Sequence, residues 1–179
     1  MKTNASYIHQ FLAPLGWSVN AIAGMLGNME TESTINPSIW QNLDEGNTSL
    51  GYGLVQWTPA TKYLSWCSEN ELDPASMSSA LSRIEYERAN GLQWISTEDY
   101  PLSFDEFKVS TASPSYLAQA FLRNYERPAD QDQPARSTQA EKWYTYLTSG
   151  DVPSNPSYPI ITKKKSMSLW LMLATTRRR

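Results

Sequence analysis

Helix start and stop signals divide the first 150 residues of this 179-residue chain into short segments. Ser18 precedes an apolar-periodic run, Ser103 opens a capping-box sequence, and Ser113 stands before a proline suited to the first helical position. Pro and Gly residues follow the segments and end them. This punctuation predicts helices at about 5–13 (capped by Asn4), 19–32, 59–68, 76–90, after Ser103, 114–126 and 136–149.

The segment 36–57 interrupts this helical pattern. Asn36-Pro37 ends the second helix because the residue before a proline avoids the helical region. The segment is rich in Gly, Asn and Ser and has room for at most two short strands, near 50–52 and 54–57. We therefore predict one mainly α domain with a small irregular or β segment.

Charge is distributed unevenly along the chain. The formal charge is −3, but residues 163–179 carry six basic side chains and no acidic one. Residues 1–162 therefore hold nine basic and 18 acidic side chains, a formal charge of −9. Because phosphate binding needs a basic surface, nucleic acid is not expected as a partner.

Composition also divides the chain. Hydrophobic residues make up 40% and charged residues 18%, which is typical of a globular protein. We predict a domain over residues 1–150, a Pro/Ser linker at 151–162, and a basic and apolar tail at 163–179 that is not an independent domain. The tail is expected to dock into a larger phage tail assembly or to be the stub of a missing second domain. Binding to an anionic surface is the alternative.

Several features are expected to be missing. The N-terminus lacks the apolar run of a secretory signal, and the longest apolar-rich stretch, 167–174, is far short of the roughly 20 residues that cross a bilayer. A single cysteine, Cys67, excludes an internal disulfide. With His9 as the only histidine, no zinc site of the usual type is expected, and no cofactor is predicted.

Glu32 is the acidic residue that the helical pattern singles out. It follows Met25 by seven residues and Met29 by three, so it continues their apolar stripe, whereas Glu30 is expected to face solvent. Burial and the negative end of the helix dipole both raise the pKa of such a carboxyl, as general acid catalysis near neutral pH requires. A glutamate turned to solvent at a frayed helix end is the alternative.

Several short motifs surround this glutamate in a fixed order. Glu32-Ser33, Asn36-Pro37 and Gly51-Tyr-Gly-Leu-Val-Gln-Trp57 resemble the Glu-Ser and Gly-Leu-x-Gln motifs of the lysozyme and lytic transglycosylase superfamily. With the strings 24–37, 40–51 and Asn124-Tyr-Glu-Arg-Pro128, residues 4–150 resemble the phage tail-type lysozyme domain. This domain is the wall-cutting N-terminal half of tail-tip morphogenesis proteins of small phages that infect Gram-positive bacteria.

The resemblance implies a lysozyme-like α+β fold, mainly α, with a small β-region beside the catalytic cleft. It implies cleavage of the β-1,4 bond between N-acetylmuramic acid and N-acetylglucosamine in peptidoglycan, with Glu32 protonating the leaving oxygen. Relatives often continue into a zinc endopeptidase domain, and the sequence offers no ligand set for one. Partners are expected to be glycan strands and other phage tail proteins, at the tail tip of the virion.

The remaining site residues are candidates with alternatives. Asp44 or Glu45 could act as a second catalytic carboxylate, but both also suit an ordinary turn, and a transglycosylase needs no second acid. The resemblance puts Gln56 and Tyr125 in the cleft. The alternative for both residues is a purely structural role. Aromatic candidates for sugar platforms are Trp40, Tyr52 and Trp57.

Four functions remain open at this point. A virion-associated muramidase leads, and a lytic transglycosylase would use the same acid. An endolysin would share the chemistry and differ in location. A non-enzymatic wall-binding tail protein is the fourth possibility.

Overall fold

The structure is a computed structural model that describes residues 1–150. The predicted linker at 151–162 and tail at 163–179 lie outside the described residues, so both stay predictions.

The described residues are mainly helical, as the sequence predicts. Seven α-helices are joined by short 3-10 turns at Ala13–Leu15 and Gln41–Leu43, and by a π-helical segment at Leu122–Glu126. The α-helices are α1 Lys2–Leu12, α2 Val19–Ser33, α3 Thr61–Glu69, α4 Met77–Ala89, α5 Phe104–Val109, α6 Pro114–Phe121 and α7 Pro134–Thr148.

Serine caps begin four of these helices. Ser18, Ser76, Ser103 and Ser113 each accept a hydrogen bond from a backbone N–H in the first turn, and Ser103 completes the predicted capping box with Glu106. The prediction for Asn4 is wrong. It lies inside α1, and its amide donates to the carbonyl of Ile35 at 2.7 Å.

Helix α2 is the centre of the packing. It makes its most extensive contacts with α7 and α6, and Ile22, Met25, Leu26 and Met29 on it are fully buried. Gly24 faces the Leu117 backbone of α6, and Gly27 lies directly against the Arg136 carbonyl of α7. The close backbone packing predicted from these glycines is confirmed, and it brings the first turn of α7 beside the last turn of α2.

The segment 36–57 has less β structure than predicted. Within residues 1–150, the predicted strands reduce to two isolated antiparallel bridges, Trp40 with Tyr52 and Tyr52 with Trp57. Asn42, Gly53 and Gln56 have positive φ angles, which break an extended backbone. Side chains take over hydrogen bonds that a strand ladder would make, as where the Gly51 N–H donates to Gln41 Oε1 at 2.7 Å.

We expect Gly27→Ala to lower the free energy of unfolding by about 1–3 kcal/mol, because the added methyl group would push α7 away from α2. Gly→Ala inside an unobstructed helix would instead raise stability by about 0.5–1 kcal/mol. Chemical denaturation monitored by circular dichroism measures the sign. Ser65→Ala, at an exposed position of α3, is the control, and a stabilised Gly27→Ala protein would contradict the close packing.

Candidate active site

A cleft of about 650 Å³ opens at the C-terminal end of α2. Its walls come from segments far apart in the chain, namely the loops 39–43 and 55–58 and residues 125–128, which form the end of the π-helical segment and the turn after it. Lys62, Gln93 and the carboxylate-bearing Glu32 complete the lining. The cleft therefore forms only when the loop segment 36–57 folds back against the helical body.

Glu32 lies in the last turn of α2, at the wall of this cleft. Its side chain is 21% exposed, so it is neither fully buried like Met25 and Met29 nor turned out to solvent. Its Oε1 accepts a hydrogen bond from Nη2 of Arg136 at 2.5 Å, which makes an ion pair between the end of α2 and the start of α7. The sequence analysis did not anticipate this partner.

Arg136 is a buried guanidinium with three polar partners. Besides Glu32, it donates from Nη1 to Asn28 Oδ1 at 2.9 Å and from Nε to Gln133 Oε1 at 2.7 Å. A planar guanidinium fixed on three sides has little rotational freedom. Arg136 therefore holds the Glu32 carboxylate in one place relative to the cleft.

Glu30 does not face solvent, and that prediction is wrong. Its side chain is 15% exposed, compared with 21% for Glu32. It accepts hydrogen bonds from the indole N–H of Trp143 at 2.7 Å and from the Lys142 ammonium at 3.1 Å. The reason is that α7 runs along α2 and supplies a partner to each carboxylate. Only Glu32 of the two lines the cleft.

Gln56 presents an unused acceptor in the cleft wall. Its side-chain N–H groups donate to the carbonyls of Gly53 at 2.9 Å and Ile39 at 3.2 Å, which fixes the amide orientation. Its Oε1 is buried and has no hydrogen-bond partner. A buried acceptor without a hydrogen-bond donor is unfavourable, and because this oxygen is buried a ligand group could reach it only if the side chain turned.

The predicted aromatic platforms form one stacked group. Trp40 and Trp57 line the cleft, and Tyr52 packs against Trp40 with ring centres 4.6 Å apart. Trp57 stacks on the buried ring of Tyr63 at 4.3 Å. Trp40 is half-buried, whereas Tyr52 and Trp57 are buried in the core. Trp40 therefore offers more ring surface to a ligand than the other two.

Tyr125 lines the cleft but points its hydroxyl group at another carboxylate. It is buried against Phe121, with ring centres 4.4 Å apart, and its hydroxyl donates to Glu87 of α4. Glu87 also accepts from the Trp57 indole N–H at 3.1 Å and from Arg83 at 2.8 Å. Burial raises the pKa of Glu87, although these three donors oppose the shift.

Glu87 is a residue that the sequence analysis missed. It ties Trp57 of the loop to Tyr125 of the π-helical segment, so it sets the relative position of two segments that line the cleft. The only feature of the local sequence that pointed to Glu87 was its spacing four residues after Arg83, which predicts an ion pair on one helix face. Such pairs are common on exposed helix faces, so the spacing did not indicate a role in the cleft.

Glu126 is a second missed residue, and it lines the cleft itself. It is half-buried, and its Oε1 is fully buried with no hydrogen-bond partner. Burial and the charge of Glu32 raise the pKa of Glu126 well above its usual value, against the opposing charge of Arg136. Its place within the string Asn124-Tyr-Glu-Arg-Pro128 was the available signal.

Asp44 and Glu45 are both exposed, in the turn that follows the cleft residues 41–43. Asp44 accepts a hydrogen bond from the side-chain amide of Asn47 at 2.7 Å, which is ordinary turn chemistry. Neither carboxylate is among the residues that line the cleft.

Within residues 1–150, no cluster of three or more His, Cys, Asp or Glu side chains could hold a metal ion. In the same part of the chain, every helix is too short or too polar to cross a lipid bilayer.

Comparison with known proteins places this cleft within a known protein family. Residues 3–147 match the family described as phage tail lysozyme. The chain belongs to this family. The helical architecture of residues 1–150 fits a lysozyme domain, and the cleft beside Glu32 lies within the matched residues.

A curated relative extends the comparison. The chain is 60% identical over 148 residues to Morphogenesis protein 1 of Bacillus phage B103. The aligned region covers 83% of this chain and 40% of the relative, so the chain spans less than half of that protein's length.

We expect Glu87→Gln to destabilise the domain by about 1–3 kcal/mol, because an amide has one acceptor oxygen where the carboxylate serves three donors. Thermal unfolding measures the change. Glu69→Gln, at an exposed position of α3, is the matched control and is expected to stay within about 0.5 kcal/mol. Equal stability of the two variants would show that Glu87 does not hold the cleft walls together.

Proposed function

We propose that this domain cleaves the β-1,4 bond between N-acetylmuramic acid and N-acetylglucosamine in peptidoglycan, with Glu32 as the general acid. The observation that carries the proposal is the position of Glu32, which presents a carboxyl group in the wall of an open cleft within a phage tail lysozyme domain. In this mechanism Glu32 protonates the leaving glycosidic oxygen while positive charge develops on the sugar ring.

The other cleft groups support binding of an amino sugar. Gln56 lines the cleft, and its Oε1, which is buried and unpartnered in the observed orientation, could accept a hydrogen bond from an acetamido N–H if the side chain turned. The ring of Trp40 offers an apolar face on which a sugar can lie, and Tyr52 supports that ring from one side. Trp57 and Tyr125 contribute to the walls, where their positions depend on Glu87.

We propose that the protein acts as part of the virion, at the tail tip, and opens the cell wall of the host during infection. The support is the family and the identity to a morphogenesis protein of a Bacillus phage. Its other partners would then be tail proteins of the phage. Labelling purified virions with an antibody against the domain tests this location, and a signal in the lysate but not on virions would favour an endolysin.

A lytic transglycosylase is the second candidate. The observation that favours it is that Asp44 and Glu45, the predicted second acids, are exposed and outside the cleft lining. In a transglycosylase the hydroxyl group of the sugar itself attacks, so no second acid is required. Mass spectrometry of the released fragments separates the reactions, because hydrolysis leaves reducing ends and transglycosylation leaves 1,6-anhydro ends.

We expect Glu32→Gln to reduce the release of glycan fragments from purified peptidoglycan by at least about 100-fold, since general acid catalysis commonly contributes factors of this size. The measurement combines loss of turbidity with product analysis. The amide occupies nearly the same volume as the carboxylate and keeps an acceptor for Arg136, so the fold should survive.

Glu30→Gln is the matched control for this test. Glu30 lies two residues earlier on α2 and is also paired with α7, but it does not line the cleft. Its variant should keep the wild-type rate. Undiminished activity of Glu32→Gln would overturn the assignment of the acid, and wall binding by wild-type protein without released fragments would favour a non-enzymatic tail protein.

Two single variants, Asp44→Asn and Glu45→Gln, test separately whether either residue acts as a second catalytic acid. If the protein hydrolyses glycan through one of these side chains, that single variant should lose about 100-fold in rate while binding is kept. Rates within about twofold of wild type in both variants would remove both residues from the mechanism.

A further inference from the structure

We propose that Arg127 and Lys62 bind carboxylate groups carried by the substituents of the glycan. Both side chains line the cleft that holds Glu32. They are specificity-determining residues, because they distinguish an acidic wall glycan from a neutral chitin-like one. This assignment rests on the proposed function for the identity of the glycan, whereas carboxylate binding itself can be measured without any activity.

The cleft differs in charge from the rest of the domain. The described part of the chain holds nine basic and 17 acidic side chains, so its formal charge is 9 − 17 = −8. The charged residues of the cleft lining are two cations, Lys62 and Arg127, and two acids, Glu32 and Glu126. Glu32 is already paired with Arg136, and burial of Glu126 disfavours its charged form. An acidic domain thus presents two cations in its cleft.

Arg127 presents a guanidinium that is held in place but has no acidic partner. It is exposed at the end of the π-helical segment, and its Nη1 donates to the carbonyl groups of Gln93 and Asn124. Among the described residues, no carboxylate forms an ion pair with this guanidinium, and its Nε and Nη2 donate to no protein group. These two nitrogens share one edge of the guanidinium plane. Such an edge binds a carboxylate through two parallel hydrogen bonds.

The local structure explains neither cation. Arg127 has a left-handed backbone with a φ angle of 49°, a conformation that is less costly for glycine than for arginine. Lys62 lies in the first turn of α3, where the positive end of the helix dipole disfavours a cation. Its side chain is exposed, and its ammonium group has no ion-pair partner within residues 1–150. A role in binding an anion accounts for both residues.

Peptidoglycan supplies carboxylates of two kinds. One belongs to the lactyl group of N-acetylmuramic acid and is free when the peptide has been removed, and the others belong to the peptide itself. An oligomer of N-acetylglucosamine has neither. Arg127 and Lys62 lie on separate segments of the cleft lining, so both segments attract an acidic substituent and neither attracts a neutral sugar in this way. Complementary charge of this kind contributes chiefly to specificity.

The first test measures binding to the full chain with the Glu32→Gln substitution, which is expected to leave the ligand uncleaved. Calorimetry compares peptide-bearing peptidoglycan fragments with N-acetylglucosamine oligomers of equal length. We expect the acidic fragments to bind about tenfold more tightly, with a ratio that shrinks as salt is added. Adding Arg127→Gln should lower this ratio about fivefold and adding Lys62→Gln about twofold, because two charge-assisted hydrogen bonds are stronger than attraction to an exposed ammonium group. Equal binding of both ligands would overturn the assignment.

The second test identifies which carboxylate is bound. Fragments from which the peptide has been removed keep only the lactyl carboxylate. Undiminished binding of these fragments would assign the site to the lactyl group, and weaker binding would assign it to the peptide, so either result supports a carboxylate subsite. Peptide-bearing fragments whose carboxyl groups have been converted to amides should bind as weakly as the neutral oligomers. Amidated fragments that bind as tightly as untreated ones would contradict the subsite.

Lys108→Gln is the matched control for charge. Lys108 is a partly exposed cation of α5, outside the cleft lining and without an ion-pair partner among the described residues. Its variant should keep the wild-type ratio, and the basic tail at 163–179 is common to all variants. An equal loss in Lys108→Gln and Arg127→Gln would assign the preference to overall charge and overturn the subsite.

Arg127→Lys separates a binding role from a structural one. It keeps the positive charge but loses the two-nitrogen edge, so its ratio should lie between those of wild type and Arg127→Gln. Circular dichroism checks the fold of each variant. If Arg127→Gln weakens both ligands equally and Lys62→Gln keeps the wild-type ratio, Arg127 only supports the cleft wall and the subsite is rejected.

Failure of the subsite and failure of the proposed function give different results. A protein that releases glycan fragments but binds acidic and neutral ligands equally retains the glycosidase activity and loses the carboxylate subsite. A protein whose preference for acidic fragments depends on Arg127, but which releases no fragments from peptidoglycan, keeps the subsite and rejects the proposed function.

Discussion

The close approach of α7 to α2 is the constraint on which the rest of the domain depends. Gly27 has no side chain where the Arg136 carbonyl lies against the helix, so the two helices pack backbone to backbone. This contact places Arg136 beside the last turn of α2, where its guanidinium reaches Glu32 and Asn28. The carboxylate at the end of α2 thereby has a fixed position and a fixed charge environment.

The opposite side of the cleft is organised by a second buried charge. Glu87 receives hydrogen bonds from Trp57 of the loop and Tyr125 of the π-helical segment, and its ion pair with Arg83 offsets part of the cost of burial. The loop 39–58 has little strand structure of its own, so its position depends on these contacts and on the stacking of Trp57 on Tyr63. The Arg136 and Glu87 networks therefore fix the positions of Glu32 and Trp57, which both line the cleft.

Local sequence signals were sufficient to predict the helices, because capping serines such as Ser18, Ser103 and Ser113, and the stop residues, act within a few positions along the chain. Ordered motifs in the sequence predict the family, which the comparison confirms, and they predict site roles for Glu32 and Gln56, which both line the cleft. Local sequence could not supply Arg136 or Glu87 as neighbours of Glu32 and Trp57, because these contacts span 30 residues or more and exist only after the helices pack. For the same reason, the partners of Glu30 and the hydroxyl direction of Tyr125 were decided by the tertiary structure alone.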